Sequence, residues 1–72
     1  MKTYDAAELF LNTRGRRGEA ELRDALANGG NINDRDRDGM TALDIARATQ
    51  LQDKQMRSVA PQLIEILKTL GA

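Results

Sequence analysis

The sequence predicts an all-α domain, two stacked pairs of helices with a β-turn-like hairpin at residues 29–39 between them. Three observations carry that expectation. Apolar residues recur at helical spacing in four separate stretches. Glycine-rich breaks at Asn12–Gly18 and at Asn28-Gly29-Gly30 divide those stretches. Tyr4 and Phe10 are the only aromatic residues, so the core must come from Leu, Ile, Ala, Val and Met, a set that favours helices.

The first helix is expected at about residues 4–12. Ala6, Ala7, Leu9, Phe10 and Leu11 give it a broad apolar face, with Thr3 or Asp5 as its cap. The second is expected at about 19–28, where Leu22 and Leu26 stand four apart with Ala25 beside them. Gly29-Gly30 ends it, because glycine enters the left-handed conformation without a Cβ clash. Between Ala27 and Met40 only Ile32 is apolar, and it is expected to anchor the hairpin to the core.

The third helix is expected from about residue 41 to 50 or beyond. Thr41 and Asp44 have the three-residue spacing of a capping box, and Leu43, Ile45 and Ala46 give the helical face. Residues 47–59 read either as a continuation of this helix or as a loop of about ten residues. Pro61 is suited to a first helical position and opens the fourth helix at about 61–70. Leu63, Ile64, Ile66, Leu67 and Leu70 form the strongest apolar stripe in the chain, and Gly71 ends it.

Seventy-two residues allow one domain, 1–72, with a helix pair at 1–28, a hairpin at 29–40 and a second helix pair at 41–72. Eleven basic side chains balance eleven acidic ones, which leaves no long-range pull toward nucleic acid or an acidic membrane. The chain has neither Cys nor His. Disulfides, thiolate chemistry, imidazole catalysis and ordinary zinc sites are excluded on that ground. Met1–Asp5 has no apolar signal core, and no apolar run approaches the roughly 20 residues that span a bilayer. The expectation is a soluble, cytoplasmic protein.

The segment Asp36-Arg-Asp-Gly39-Met-Thr41-Ala42-Leu43-Asp44-Ile-Ala46 resembles the Asp-x-x-Gly-x-Thr-Pro-Leu-His-x-Ala pattern of ankyrin repeats. Upstream, Leu26-Ala-Asn-Gly29-Gly30-Asn31-Ile32-Asn33 resembles the family's Leu-x-x-Gly-Ala-Asp-Val-Asn. Leu63-Ile64-Glu-Ile66-Leu67-Lys-Thr-Leu70-Gly71-Ala72 is similar to its outer helix and the Gly-Ala that follows. The likeness covers about residues 19–47 and 61–72, and it implies an intracellular repeat protein that binds other proteins. Ala42 stands where the family has Pro. Asp44 stands where it has the His that ties neighbouring loops together. About nine extra residues separate Ala46 from Leu63, an insertion at about 50–60. One full repeat plus a helical pair falls short of the about three repeats usually needed, which points to self-association or to an improvised cap.

The resemblance implies no enzyme and no cofactor, but a protein–protein interaction module. Its partner-binding residues would be Arg35, Arg37, Asp38 and Met40 at the hairpin tip. Ala48 and Thr49 would follow on the inner helix, with Arg47 nearby. One alternative is a homo-oligomeric or structural protein. Another is a small stand-alone inhibitor of a toxin or defence enzyme from a bacterium or phage. Asp34, Asp36, Asp38 and Gly39 also match the start of a calcium loop, but the acid required at position twelve is replaced by Ile45. No metal is expected. Arg14, Arg16 and Arg17 form a small basic patch without stacking aromatics, read as a solvated turn, with contact to an acidic protein partner as the lesser alternative, rather than as a nucleic-acid surface. Neither nucleic acid nor membrane is expected as a partner.

Overall fold

The computed structural model describes all residues from Met1 to Ala72. Four α-helices follow one another: α1 (Thr3–Asn12), α2 (Glu19–Ala27), α3 (Ala42–Gln52) and α4 (Val59–Thr69). A single 3₁₀ turn, Lys54–Met56, lies between α3 and α4. α1 packs against α2, α3 and α4, and α3 packs against α4. The radius of gyration, 10.8 Å, is close to the roughly 11 Å of a compact domain of this length, so the pairs are stacked and not splayed. No helix is long and apolar enough to cross a membrane.

The buried residues explain the arrangement. α1 buries Ala6, Ala7, Phe10 and Leu11, and α4 buries Val59, Ala60, Leu63, Ile64 and Leu67. Both stripes run i, i+1, i+4, i+5, a broad face able to meet more than one neighbour. α3 buries only Ala42 and Ala46, one turn apart, and these small side chains let it lie close between its partners. α2 buries Leu22 alone, in keeping with its single main neighbour, α1. Ile32 and Met56 are half-buried against the same core and tie down the two long connections.

Gly18 fixes the α1–α2 joint. A Cβ there would lie 2.6 Å from the Phe10 nitrogen and 2.7 Å from the Ala6 oxygen, both backbone atoms of α1, and its φ is +111°. Only glycine satisfies the spacing and the dihedral together. Glu21 Oε2 accepts the Gly18 N–H at 3.2 Å, and the Gly18 carbonyl accepts from Leu22 at 2.9 Å to start α2.

Three helices end in the same way, with two backbone hydrogen bonds folding the chain back over the last turn. In α2 these are Gly30 N–H to Ala25 C=O and Gly29 N–H to Leu26 C=O; in α4 they are Ala72 to Leu67 and Gly71 to Lys68. In α1 they are Gly15 to Phe10 and Arg14 to Leu11. The left-handed residue is glycine in α2 and α4, but Arg14, at φ +54°, in α1.

Several expectations need correction. The β-turn-like hairpin at 29–39 is absent: the chain contains no strand. A ladder needs two extended stretches that exchange backbone bonds, and here polar side chains take up the backbone groups instead. Asn31 Oδ1 accepts the Asn33 N–H at 2.8 Å, and Asp36 Oδ1 accepts from Asp38 at 2.8 Å and Met40 at 2.9 Å. Thr3 does not cap α1 and neither does Asp5. Lys2 precedes the helix without a side-chain cap, and the fully buried Thr3 hydroxyl donates to the Asn31 carbonyl at 3.1 Å. α4 begins at Val59, two residues before Pro61, where the N–H that proline lacks would still have had no intrahelical acceptor. Residues 47–59 combine both readings: α3 continues to Gln52, and the 3₁₀ turn follows, with Asp53 Oδ1 accepting the Gln55 N–H at 2.9 Å.

Gly18→Ala should destabilise the fold by about 2–4 kcal/mol, through overpacking and a disfavoured φ together. Gly29→Ala has open space around its Cβ and meets only the φ penalty, so it should cost about 1 kcal/mol. Urea denaturation of both variants measures the difference; equal effects would contradict the close approach at Gly18.

Candidate functional site

The connection between α2 and α3 is an irregular loop held by two turns. The Asp34 N–H donates to the Asn31 carbonyl at 3.0 Å in the first, and the Gly39 N–H to the Asp36 carbonyl at 3.0 Å in the second. Asp36 organises the second turn. Its carboxylate takes two backbone N–H groups, and its own N–H donates to the Met40 carbonyl at 2.9 Å. This arrangement projects Arg37 and Asp38 into solvent at the turn's tip.

Thr41 and Asp44 then form the capping box that their spacing predicts. The Thr41 hydroxyl accepts the Asp44 N–H at 3.2 Å, and Asp44 Oδ2 accepts the Thr41 N–H at 3.1 Å. That bond from the Thr41 N–H is the main reason the Asp44 carboxyl lies below its ordinary value of 3.8. Partial desolvation opposes the shift, while the Thr41 hydroxyl and the charges of Arg35 and Arg47 reinforce it. The cap joins the loop directly to the start of α3.

The predicted contact residues fall into groups. Arg37 and Asp38 share a depression of about 440 Å³ with Tyr4, Asp5 and Glu8 of α1 and with Asp36. Arg35 is turned back onto the chain: Nη1 donates to the Gly39 carbonyl at 2.6 Å and lies 3.9 Å from Asp44 Oδ2. Met40 is half-buried. On α3, Arg47 is exposed and Ala48 and Thr49 are half-buried; none of the three lines the depression. Arg47, Ala48 and Thr49 therefore lie outside the depression that Arg37 and Asp38 line.

Sequence reasoning missed Tyr4, Asp5 and Glu8. A signal was present, since Asp5, Glu8 and Asn12 form an exposed stripe at i, i+3, i+7 opposite the buried face of α1. What the spacing could not supply is that the loop folds back beside the start of α1, through the Thr3–Asn31 hydrogen bond.

The carboxylates of the Asp34–Asp36–Asp38 run do not converge as calcium ligands would. Asp34 faces the Lys2 ammonium at 3.9 Å, and Asp36 accepts from the backbone of its own turn. With four carboxylates, one guanidinium and a tyrosine around it, the depression suits a polar or cationic group from another molecule.

Comparison with known proteins gives no match: no family model, no curated protein and no solved structure matches the chain.

The Asp44 carboxylate makes the cap pH-sensitive. Its folded pKa is depressed, so the ionised form stabilises the fold above pH 3.8, and that contribution is lost as pH falls through the lower folded value. Urea denaturation between about pH 2 and pH 6 should show wild-type stability falling through this window. Asp44→Asn should flatten that part of the profile, and an unchanged slope would contradict the assignment.

Proposed function

We propose that this chain is a minimal ankyrin-like recognition module that binds another protein through the α2–α3 loop tip and the adjoining surface of α1. The observation that carries the reading is the depression shared by Arg37, Asp38, Tyr4, Asp5 and Glu8. It combines a tyrosine and an arginine, residue types enriched among interface hot spots, on a backbone pinned by Asp36 and the Thr41–Asp44 cap. Met40, Arg47, Ala48 and Thr49 would form an outer part of the contact. The succession of helix pair, polar loop, capped helix and final helix supports the ankyrin likeness, with an irregular loop in the place of that family's hairpin.

In this reading Arg37, the only cation in the depression, supplies a bidentate contact to an acidic group of the partner, while the four carboxylates around it take that partner's polar and cationic groups. Arg37 is exposed and makes no ion pair or side-chain hydrogen bond within the chain. Arg37→Glu should therefore weaken binding by more than about 1 kcal/mol with little change in fold stability. Affinity capture from the native host, followed by calorimetric titration of the captured partner with both variants, tests this. Unchanged affinity would move the contact elsewhere, first to residues 50–60.

Self-association is a second reading. Leu51 is 87% exposed at the end of α3, and Ile45, Ile66 and Leu70 keep part of their apolar surface in water. Sedimentation at tens of micromolar decides it: a mass above that of the monomer supports the oligomer, and a monomer mass excludes it. An inhibitor of a toxin or defence enzyme is one form that the protein-binding reading would take.

A further inference from the structure

We propose that the α1–α2 turn is an oxyanion site that takes a phosphate group. Asn12, Thr13, Arg14, Arg16 and Arg17 line a concavity of about 380 Å³ with neither a carboxylate nor an apolar side chain in its lining. Three guanidiniums lie within four residues; Arg16 and Arg17 also line the adjoining concavity with Glu19 and Glu21, but no acid lines this one, and the planar guanidinium fork suits phosphate oxygens.

The arginines keep part of their donor capacity free of contacts within the chain. Arg16 makes no ion pair and no side-chain hydrogen bond. Arg17 lies 3.7 Å from Glu21 but is 67% exposed, which leaves most of its donors free. Arg14 is braced from behind: Nη1 and Nη2 donate to the carbonyl and Oε1 of Gln55, each at 3.4 Å. That bond ties the 3₁₀ turn to the site from 41 residues away in sequence. The contrast lies in α2, where Arg23 is committed to Glu19 at 3.2 Å.

The backbone beneath them is fixed in advance. The Thr13 hydroxyl donates to the Leu9 carbonyl at 2.7 Å and accepts the Arg17 N–H at 2.9 Å. The Arg16 N–H donates to the Thr13 carbonyl at 3.1 Å. A pinned turn loses little freedom when it binds, which favours even a small ligand.

Arg14 supplies an independent observation. It holds the left-handed position that Gly29 and Gly71 hold at the ends of α2 and α4. An arginine there carries backbone strain that glycine would not, and such strain gathers at functional positions. Neutralising the α1 dipole does not require so much charge. A helix end carries about half an elementary charge, and the end of α4 has Lys68 alone.

The site lies at the far end of α1 from Tyr4 and Asp5, about 15 Å along the axis, so it stands or falls independently of the protein-binding surface. The test is an NMR titration of the isotopically labelled full chain at about 0.15 M salt. Two probes are used, inorganic pyrophosphate and a short peptide carrying one phosphoserine. Saturable binding of either, with shifts confined to residues 12–17 and Gln55, is expected. The tighter probe identifies the source, a free phosphate compound or a phosphorylated protein. Arg16→Glu should weaken binding at least about tenfold without altering thermal stability, and Arg57→Glu should leave it unchanged. The proposal is overturned if neither probe saturates at millimolar concentration, if the shifts fall equally on Arg35, Arg37 and Arg57, or if Arg16→Glu binds as the wild type does.

Discussion

α1 is in contact with every other helix, and the fold depends on how closely those neighbours can approach it. At one joint the approach requires glycine, since the Gly18 backbone lies against the backbone of Ala6 and Phe10. Elsewhere it requires alanine: Ala6, Ala7, Ala42, Ala46 and Ala60 are all fully buried. Small residues at helix crossings lengthen the list of atoms in van der Waals contact without adding side-chain bulk. The larger residues, Phe10, Leu11, Leu22, Leu63 and Leu67, then fill the space around those crossings. A chain with so few aromatic residues closes its core by bringing helices together, not by filling a wide gap.

The same helix organises the surface. The buried Thr3 hydroxyl holds the Asn31 carbonyl, which draws the α2–α3 loop against the start of α1. From there Asp36 and the Thr41–Asp44 pair fix the loop through side-chain acceptors for backbone N–H groups. Every buried side-chain polar atom has a partner, so this polar network adds rigidity without the penalty of unmet donors. At the other end of α1, Thr13 does comparable work for the arginine turn. Both candidate sites are thus loops whose shape is set by short polar side chains and whose position is set by α1.

Much of this was legible in the residues. The four helices lie within about two residues of their expected bounds, because apolar periodicity and glycine stops act locally. The capping box and the Ile32 anchor were readable for the same reason. The loop was misread because Asn31 and Asp36 divert the backbone from strand pairing, a competition that turns on geometry and not on residue type. The α4 start was misread because Val59 and Ala60 are pulled into the core ahead of Pro61. At the site, Arg37 and Asp38 were recognisable from the loop sequence. Their α1 neighbours were not, since Tyr4, Asp5 and Glu8 join them only through contacts distant in sequence. The strain at Arg14 was equally invisible, because a positive φ at a non-glycine residue leaves no mark in composition.

α1 holds the domain together as one cooperative unit. Native-state hydrogen exchange tests it most directly. The slowest amides of α1, among them Phe10 and Leu11, should exchange with the same opening free energy as Ala46 of α3 and Leu63 and Leu67 of α4, equal to that of global unfolding. If α3 and α4 keep a higher protection after α1 has exchanged, the second helix pair is stable without it, and the account of α1 as the common partner is wrong.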